Sequence, residues 1–385
     1  MKQQQFIDKI KISGFKSIKE LTLPLDKLNV LIGANGAGKS NFISAFELLK
    51  RITECKLQSY VGQRGGADFL LHYGRKVAHE INVEISFGTD GYGFALIPDD
   101  SDGLLFGYEQ YWYLEKHPHH FKLGEGHRES KLENPPDREH LVPVRFQEGS
   151  GIIPDDPLNR CCDLAGDILK RFKELGGYHF HDTSENSPMK QTSPIAENRS
   201  LRPNAGNLAA FLYLLKHHHK SNYTEIVKTV QLVAPFFSDF LLEPVRENPN
   251  NIRLEWRDTK SDAYFNANML SDGTLRFICL ATLLLQPDPP SVIILDEPEL
   301  GLHPAAIALL AEMLKSASQK SQIIISTQSV TLINHFSPED IIVAERKQET
   351  GESVFTRLDK KAIAHWLEDY ALGAIWEKNI IGGRP

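Results

Sequence analysis

The residues Gly33-Ala34-Asn35-Gly36-Ala37-Gly38-Lys39-Ser40 follow the spacing G-x-x-x-x-G-K-[ST]. Glycine lets a backbone come close to an anion, so the N–H groups of Asn35, Gly36, Ala37 and Gly38 suit the phosphates of a nucleotide. Lys39 would bridge the outer phosphates, and the Ser40 hydroxyl would ligate Mg2+. The bland alternative is a tight glycine turn.

Two further groups carry chemistry. Asp296 and Glu297 end an apolar run over residues 292–295, which places two carboxylates at the C-terminal edge of a parallel sheet, where α/β ligand sites lie. Asp296 would hold the Mg2+ shell and Glu297 would orient an attacking water, because phosphoryl transfer depends on in-line positioning. As a pair they could also be a helix cap. Leu270-Ser271-Asp272-Gly273-Thr274 precedes a helical run over 275–285. Ser271 and the Gly273 N–H therefore stand at a helix N-terminus, either as an anion site or, for Ser271, as a plain N-cap.

The surrounding pattern supplies the elements that must hold these groups. Residues 7–15, 21–25 and 28–32 read as strands, and Phe42, Phe46, Leu49 and Ile52 recur at helical spacing directly after the glycine-rich loop. From residue 88 to 200 the character changes to short alternating segments, 109–114 and 141–146, between stretches rich in Pro, Gly, His and charge. No heptad pattern runs through this region. Helical periodicity returns over 207–215 and 224–233, and residues 240–245 and 252–256 read as a hairpin. A strand over 292–295, a helix from Pro304 and a strand over 323–326 alternate as in a parallel sheet with crossover helices.

Composition bounds the rest. With 41% hydrophobic and 24% charged residues among 385, the chain is an ordinary globular sequence. Its longest apolar runs fall short of the roughly 18 residues that cross a bilayer, and the N-terminus lacks a secretory h-region. A cytoplasmic protein without membrane contact is expected. A net charge of -7 argues against a broad phosphate-binding surface, so any nucleic-acid contact would be local. The cysteines form no CxxC pair, and Cys279 reads as a buried free thiol. The clusters at residues 117–120, 179–181 and 217–219 lack zinc-site spacing and read as solvated histidines.

Together these motifs resemble the ABC-type ATPases of the RecF and SMC branch. Ile12-Ser13-Gly14-Phe15-Lys16-Ser17, the phosphate loop with its Asn41, the Leu270–Thr274 signature, Leu295-Asp296-Glu297-Pro298-Glu299 and Gly301-Leu302-His303-Pro304 match in order, over roughly residues 1–50 and 265–345. More narrowly, the chain resembles compact bacterial ATPases of the AAA-15/AAA-21 type, often found in operons for phage defence or DNA maintenance. Tyr178-His179-Phe180-His181-Asp182-Thr183 and residues 376–385 also look typical of that group.

The resemblance implies an α/β fold: a P-loop NTPase head of ABC type with a mixed, mainly parallel sheet, an N-terminal antiparallel subsheet and an inserted α+β subdomain without a long coiled coil. The implied domains are 1–87 with the phosphate loop, 88–235 as insertion and helices, and 236–385 with signature, carboxylates and switch. ATP and Mg2+ are the implied cofactors. Two heads would sandwich two ATP molecules, Ser271 and Gly273 of one capping the γ-phosphate held by the other. Glu297 and Gln328 would be catalytic, Asn35–Asn41 would bind nucleotide, and Ser40, Asp296 and Gln63, the last as a Q-loop residue, would serve the metal. The sequence departs from the family at Asp272, where glycine is usual and a carboxylate would repel phosphate. It departs again at Gln328, where histidine is usual; an amide cannot exchange a proton.

The implied function is an ATP-hydrolysing switch, homodimeric through its ATP-bound heads, that controls DNA or a separate effector of the same operon, a nuclease among the candidates, in phage defence or DNA repair. About 40 residues follow Glu345, too few for a fused nuclease domain. The rival readings are the ATPase subunit of a transporter and an ATP-binding scaffold with negligible turnover.

Overall fold

The computed structural model describes residues 6–114, 118–135 and 157–384, and the predicted segment 141–146 lies outside them. Its chain forms two compact units: Met1–Leu175 with Glu339–Lys360 and Ile381–Pro385, and Gly176–Pro338 with Lys361–Ile380. These units follow packing and cut the chain at other points than the motif-based division.

In the first unit, β1 (Lys9–Phe15) and β2 (Ile18–Pro24) begin an antiparallel sheet, and β3 (Leu28–Ile32) is buried at every residue. The phosphate loop then leads into α1 (Lys39–Thr53), whose Phe42, Phe46, Leu49 and Ile52 are all buried as the helical spacing requires. α2 (Leu57–Gln63) follows. β4 (Ile81–Phe87), β5 (Asp90–Pro98), β6 (Leu104–Leu114) and β7 (Pro118–Gly124) extend the antiparallel sheet in the order β2-β1-β4-β5-β6-β7. The change of sequence character after Gly88 therefore lies inside a continuous sheet. β4 alternates buried and half-buried residues, the period of a one-sided strand. α3 (Pro157–Lys173) packs Phe172 against Phe87 and Tyr92, with ring centroids 5.6 and 5.4 Å apart. No helix among the described residues exceeds its 17 residues.

The second unit begins within β8 (Leu175–Tyr178) and includes β9 (Ser193–Pro194), α4 (Leu208–His218) and α5 (Lys220–Val233). The predicted hairpin is two nested pairings. β10 (Phe237–Leu241) pairs with β13 (Glu255–Asp258), setting Phe240 opposite Trp256. Inside it β11 (Pro244–Val245) pairs with β12 (Asn248–Ile252). After β14 (Tyr264–Asn266) comes α6 (Asp272–Leu285), apolar nearly all round and buried, with Cys279 fully enclosed near Met189. β15 (Val292–Asp296) and β16 (Gln322–Thr327) pair in parallel, joined through α7 (Pro304–Ala317); α8 (Val330–Ile333) follows. Both strands carry continuous apolar runs, as parallel strands covered on both faces do.

The chain then returns to the first unit. β17 (Ile341–Arg346) lies parallel to β3 and antiparallel to β18 (Ser353–Arg357). α9 (Ala364–Asp369) and α10 (Leu372–Glu377) belong to the second unit, where Gly373 N–H donates to Asn334 at 2.7 Å and Trp376 is buried. No helix among the described residues is long and apolar enough to cross a membrane.

Candidate nucleotide site

The phosphate loop turns through left-handed backbone at Gly36 and Gly38, with φ of 78° and 110°. Gly38 is the N-cap of α1 and supplies no side-chain cap, which leaves the first N–H groups of a 15-residue helix for an anion. A side chain at Gly38 would run into Ser353, whose hydroxyl donates to Ser17 Oγ at 2.7 Å. Asn41 Nδ2 donates to the same Ser17 oxygen at 2.7 Å. Three elements distant in sequence thus fix the loop's start of helix.

Lys39 is buried, and its ammonium donates to the carbonyls of Gly33 at 2.6 Å and Ala34 at 3.0 Å. Asn35, Gly36 and Ser40 are exposed, while Ala37 and Gly38 are buried beneath them. Lys16 adopts φ 49° and donates to Ser44 Oγ at 2.8 Å. Burial lowers the pKa of its ammonium, and Arg64 lowers it further.

Beside the loop opens a cavity of about 720 Å³, to which Gly36 and Asn41 contribute. Its outer wall carries Phe69 and Tyr73, 71% and 50% exposed, so both rings offer surface to a ligand. Tyr73 is fixed by its hydroxyl, which donates to Gly351 O at 3.0 Å. Arg346 and Lys76 add positive charge. Gln63 is exposed at the end of α2, its amide 3.5 Å from Ser59 Oγ, and does not line this cavity.

The carboxylates belong to the second unit. Ser326 on β16 donates to Asp296 on β15, a pairing that the parallel register sets directly. Glu297 has φ 42°, a conformation non-glycine residues seldom adopt and one that concentrates at functional sites. Its N–H donates to Ser326 O at 2.9 Å, and its Oε1 accepts from Gln328 Nε2 at 2.6 Å. Glu299 is buried and accepts from the Thr327 hydroxyl; burial holds its carboxyl above the ordinary range, while that hydrogen bond pulls the other way. Glu299 and Thr327 were not singled out from sequence, although Glu299 lies within the quoted motif.

Ser271 is the N-cap of α6, accepting from Thr274 N at 3.2 Å, and is exposed. Gly273 needs its missing side chain for packing, since a Cβ would strike the carbonyl of Gly301. The Asp272 carboxylate has a cation 4.0 Å away: Lys190, whose side chain is 6% exposed and which also donates to Thr183 O at 2.6 Å. That neighbouring cation is invisible in the sequence. Within the histidine clusters, His119 and His120 stack on Tyr113 and Trp112, and the His217 ring lies 2.8 Å from Tyr213 O. The terminal Gly382-Gly383 turn packs against β17, with Gly383 N–H donating to Glu345 at 2.9 Å.

Residues 6–87 match the family model described as "AAA ATPase domain", and residues 165–334 the one described as "AAA domain, putative AbiEii toxin, Type IV TA system". The phosphate import ATP-binding protein PstB of Mycoplasma genitalium is 31% identical over 111 residues, 28% of this chain and 33% of that protein. The chain thus spans about a third of that relative's length. The energy-coupling factor transporter ATP-binding protein EcfA2 of Staphylococcus aureus is 24% identical over 225 residues, 52% of this chain and 77% of the relative. Among solved structures, an Smc head bound to the C-winged helix domain of ScpA aligns with a TM-score of 0.54 at 16% identity, covering 92% of this chain and 99% of that one. This last likeness is one of fold. In its motifs, its two family-model matches and its fold, the chain is similar to P-loop ATPases of the RecF, SMC and ABC branch.

Proposed function

We propose that the chain is a slow ATP-driven switch that pairs with a second copy of itself and, in the paired state, acts on DNA or a separate effector in phage defence or DNA repair. The observation that carries the reading is the phosphate loop: left-handed glycines deliver an uncapped helix N-terminus, with Lys39 poised on the loop carbonyls. In this reading the loop N–H groups and Lys39 hold the phosphates, and the aromatic wall of the adjoining cavity takes the nucleoside. Ser40 and Asp296 are hard oxygen donors, which suits Mg2+, an ion that binds one or two protein groups together with substrate phosphates. When bound, the ion neutralises charge on the transferring phosphoryl group. Glu297 orients water, Gln328 fixes Glu297, and Ser271 and Gly273 of one copy close over the phosphates held by the other.

Light scattering on Glu297→Gln chains tests the pairing. A dimer that forms with ATP and not with ADP supports it; a monomer at saturating ATP contradicts it. A transporter-subunit reading draws on the names of the PstB and EcfA2 relatives, and ATP-dependent capture of a membrane permease encoded beside the gene would favour it.

A further inference from the structure

The segment from Tyr178 to Thr183 has no part in the reading above, yet the second unit ties it to the carboxylates and to the signature. Arg276 on α6 donates to the carbonyls of Phe180 at 3.2 Å, His181 at 2.8 Å and Leu300 at 2.7 Å. A guanidinium is a planar fork with fixed donor directions, so it clamps the backbone at 180–181 to the turn that follows Glu297. Gly301 leaves room for that clamp: a Cβ there would come within 2.8 Å of Arg276 Nη1. Farther along the segment, Thr183 O accepts from Lys190, the cation beside Asp272.

One small cavity results, lined by His181, Arg276, Asp296 and Glu297, with Phe180 and Leu295 among its apolar walls. Its volume of about 10 Å³ is near that needed for a single water. A histidine at the carboxylate end of this site is notable beside Gln328, because the switch position itself carries an amide.

Resting on the ATPase reading, we propose that His181 is a water-positioning residue of the hydrolytic site. Its imidazole shares with Glu297 the water that attacks the γ-phosphorus, supplying the ring that the switch position lacks. In the step, the water oxygen bonds to the γ-phosphorus while the bond to the β,γ-bridging oxygen breaks and ADP leaves with that electron pair. The water's proton passes through Glu297 to the released phosphate. His181 gains no proton overall; it acts through direction.

Steady-state turnover and ATP affinity of His181→Ala, His181→Phe, His181→Asn and His181→Gln, measured beside wild type and Glu297→Gln, test this. The expected result is that the Ala and Phe variants lose kcat by about tenfold or more, the scale of one lost hydrogen bond, with KM within about threefold. An amide variant, Asn or Gln, recovers most of the loss. Wild-type kcat in His181→Phe overturns the proposal, as does an equal loss in Phe, Asn and Gln variants, which would mark a packing role. Should His181→Ala fail to fold, the Phe and amide variants keep the side-chain bulk and decide. A normal His181→Phe beside an inactive Glu297→Gln overturns this inference alone, whereas a wild type that binds no ATP overturns the ATPase reading with it.

Discussion

Gln328 Nε2 donates to Glu297 Oε1 at 2.6 Å, so the switch amide holds the carboxylate that is proposed to direct the attacking water. The amide fixes geometry but cannot relay a proton, and the account therefore ties Gln328 to rate. Gln328→Ala should lower kcat about ten- to a hundredfold, as expected for losing one hydrogen bond worth about 1–3 kcal/mol at a charged group, with ATP affinity nearly unchanged. Gln328→His should likewise alter turnover more than affinity. Steady-state kinetics with calorimetric ATP binding decide; a change confined to affinity would contradict the role.

Lys39 ties the loop through the carbonyls of Gly33 and Ala34 and is proposed to hold the phosphates as well. Lys39→Ala should abolish measurable ATP binding and also lower Tm by a few degrees, because two charge-assisted hydrogen bonds to Gly33 and Ala34 are lost. Calorimetry and thermal unfolding check both. Unchanged ATP affinity would remove the loop from the site.

Ser271 caps α6 and is exposed. Ser271→Arg should weaken ATP-dependent pairing while sparing ATP binding to the single chain, and Lys190→Ala, which strips Asp272 of its neighbouring cation, should weaken pairing in the same direction. Light scattering of each variant with ATP provides the check. Wild-type pairing in Ser271→Arg would show that the signature does not act across copies.

Glu299 gives a pH-dependent outcome. Burial raises its folded pKa above the unfolded carboxylate value, so its protonated form favours the fold at low pH and that contribution fades as pH rises through the folded pKa. Glu299→Gln removes the titration and keeps an acceptor for Thr327. Its Tm relative to wild type should therefore rise between pH 5 and pH 8. A Tm difference that is flat or falls over this range would contradict the assignment.

Much of this was legible because periodicity and glycine spacing are local signals. The phosphate loop, α1, β15 and α6 lie where residues 28–52 and 270–297 indicated. What escaped depends on contacts between distant residues: Ser17 with Ser353 and Asn41, Lys190 with Asp272, and Arg276 with Phe180 and His181. No window of sequence reports such pairs. A hairpin over 240–245 and 252–256 was expected, but its division into an outer β10–β13 pair and a nested β11–β12 pair was not, because Asn248-Pro249-Asn250-Asn251 reads as loop.

The central claim is that Glu297 directs the water while other groups bind the nucleotide. Single-turnover hydrolysis of γ-labelled ATP, with protein in excess, measures it directly in wild type and Glu297→Gln. The expected result is slow, complete conversion by wild type and ATP that stays bound but uncleaved on Glu297→Gln over the same period. Cleavage by Glu297→Gln at the wild-type rate would contradict the account.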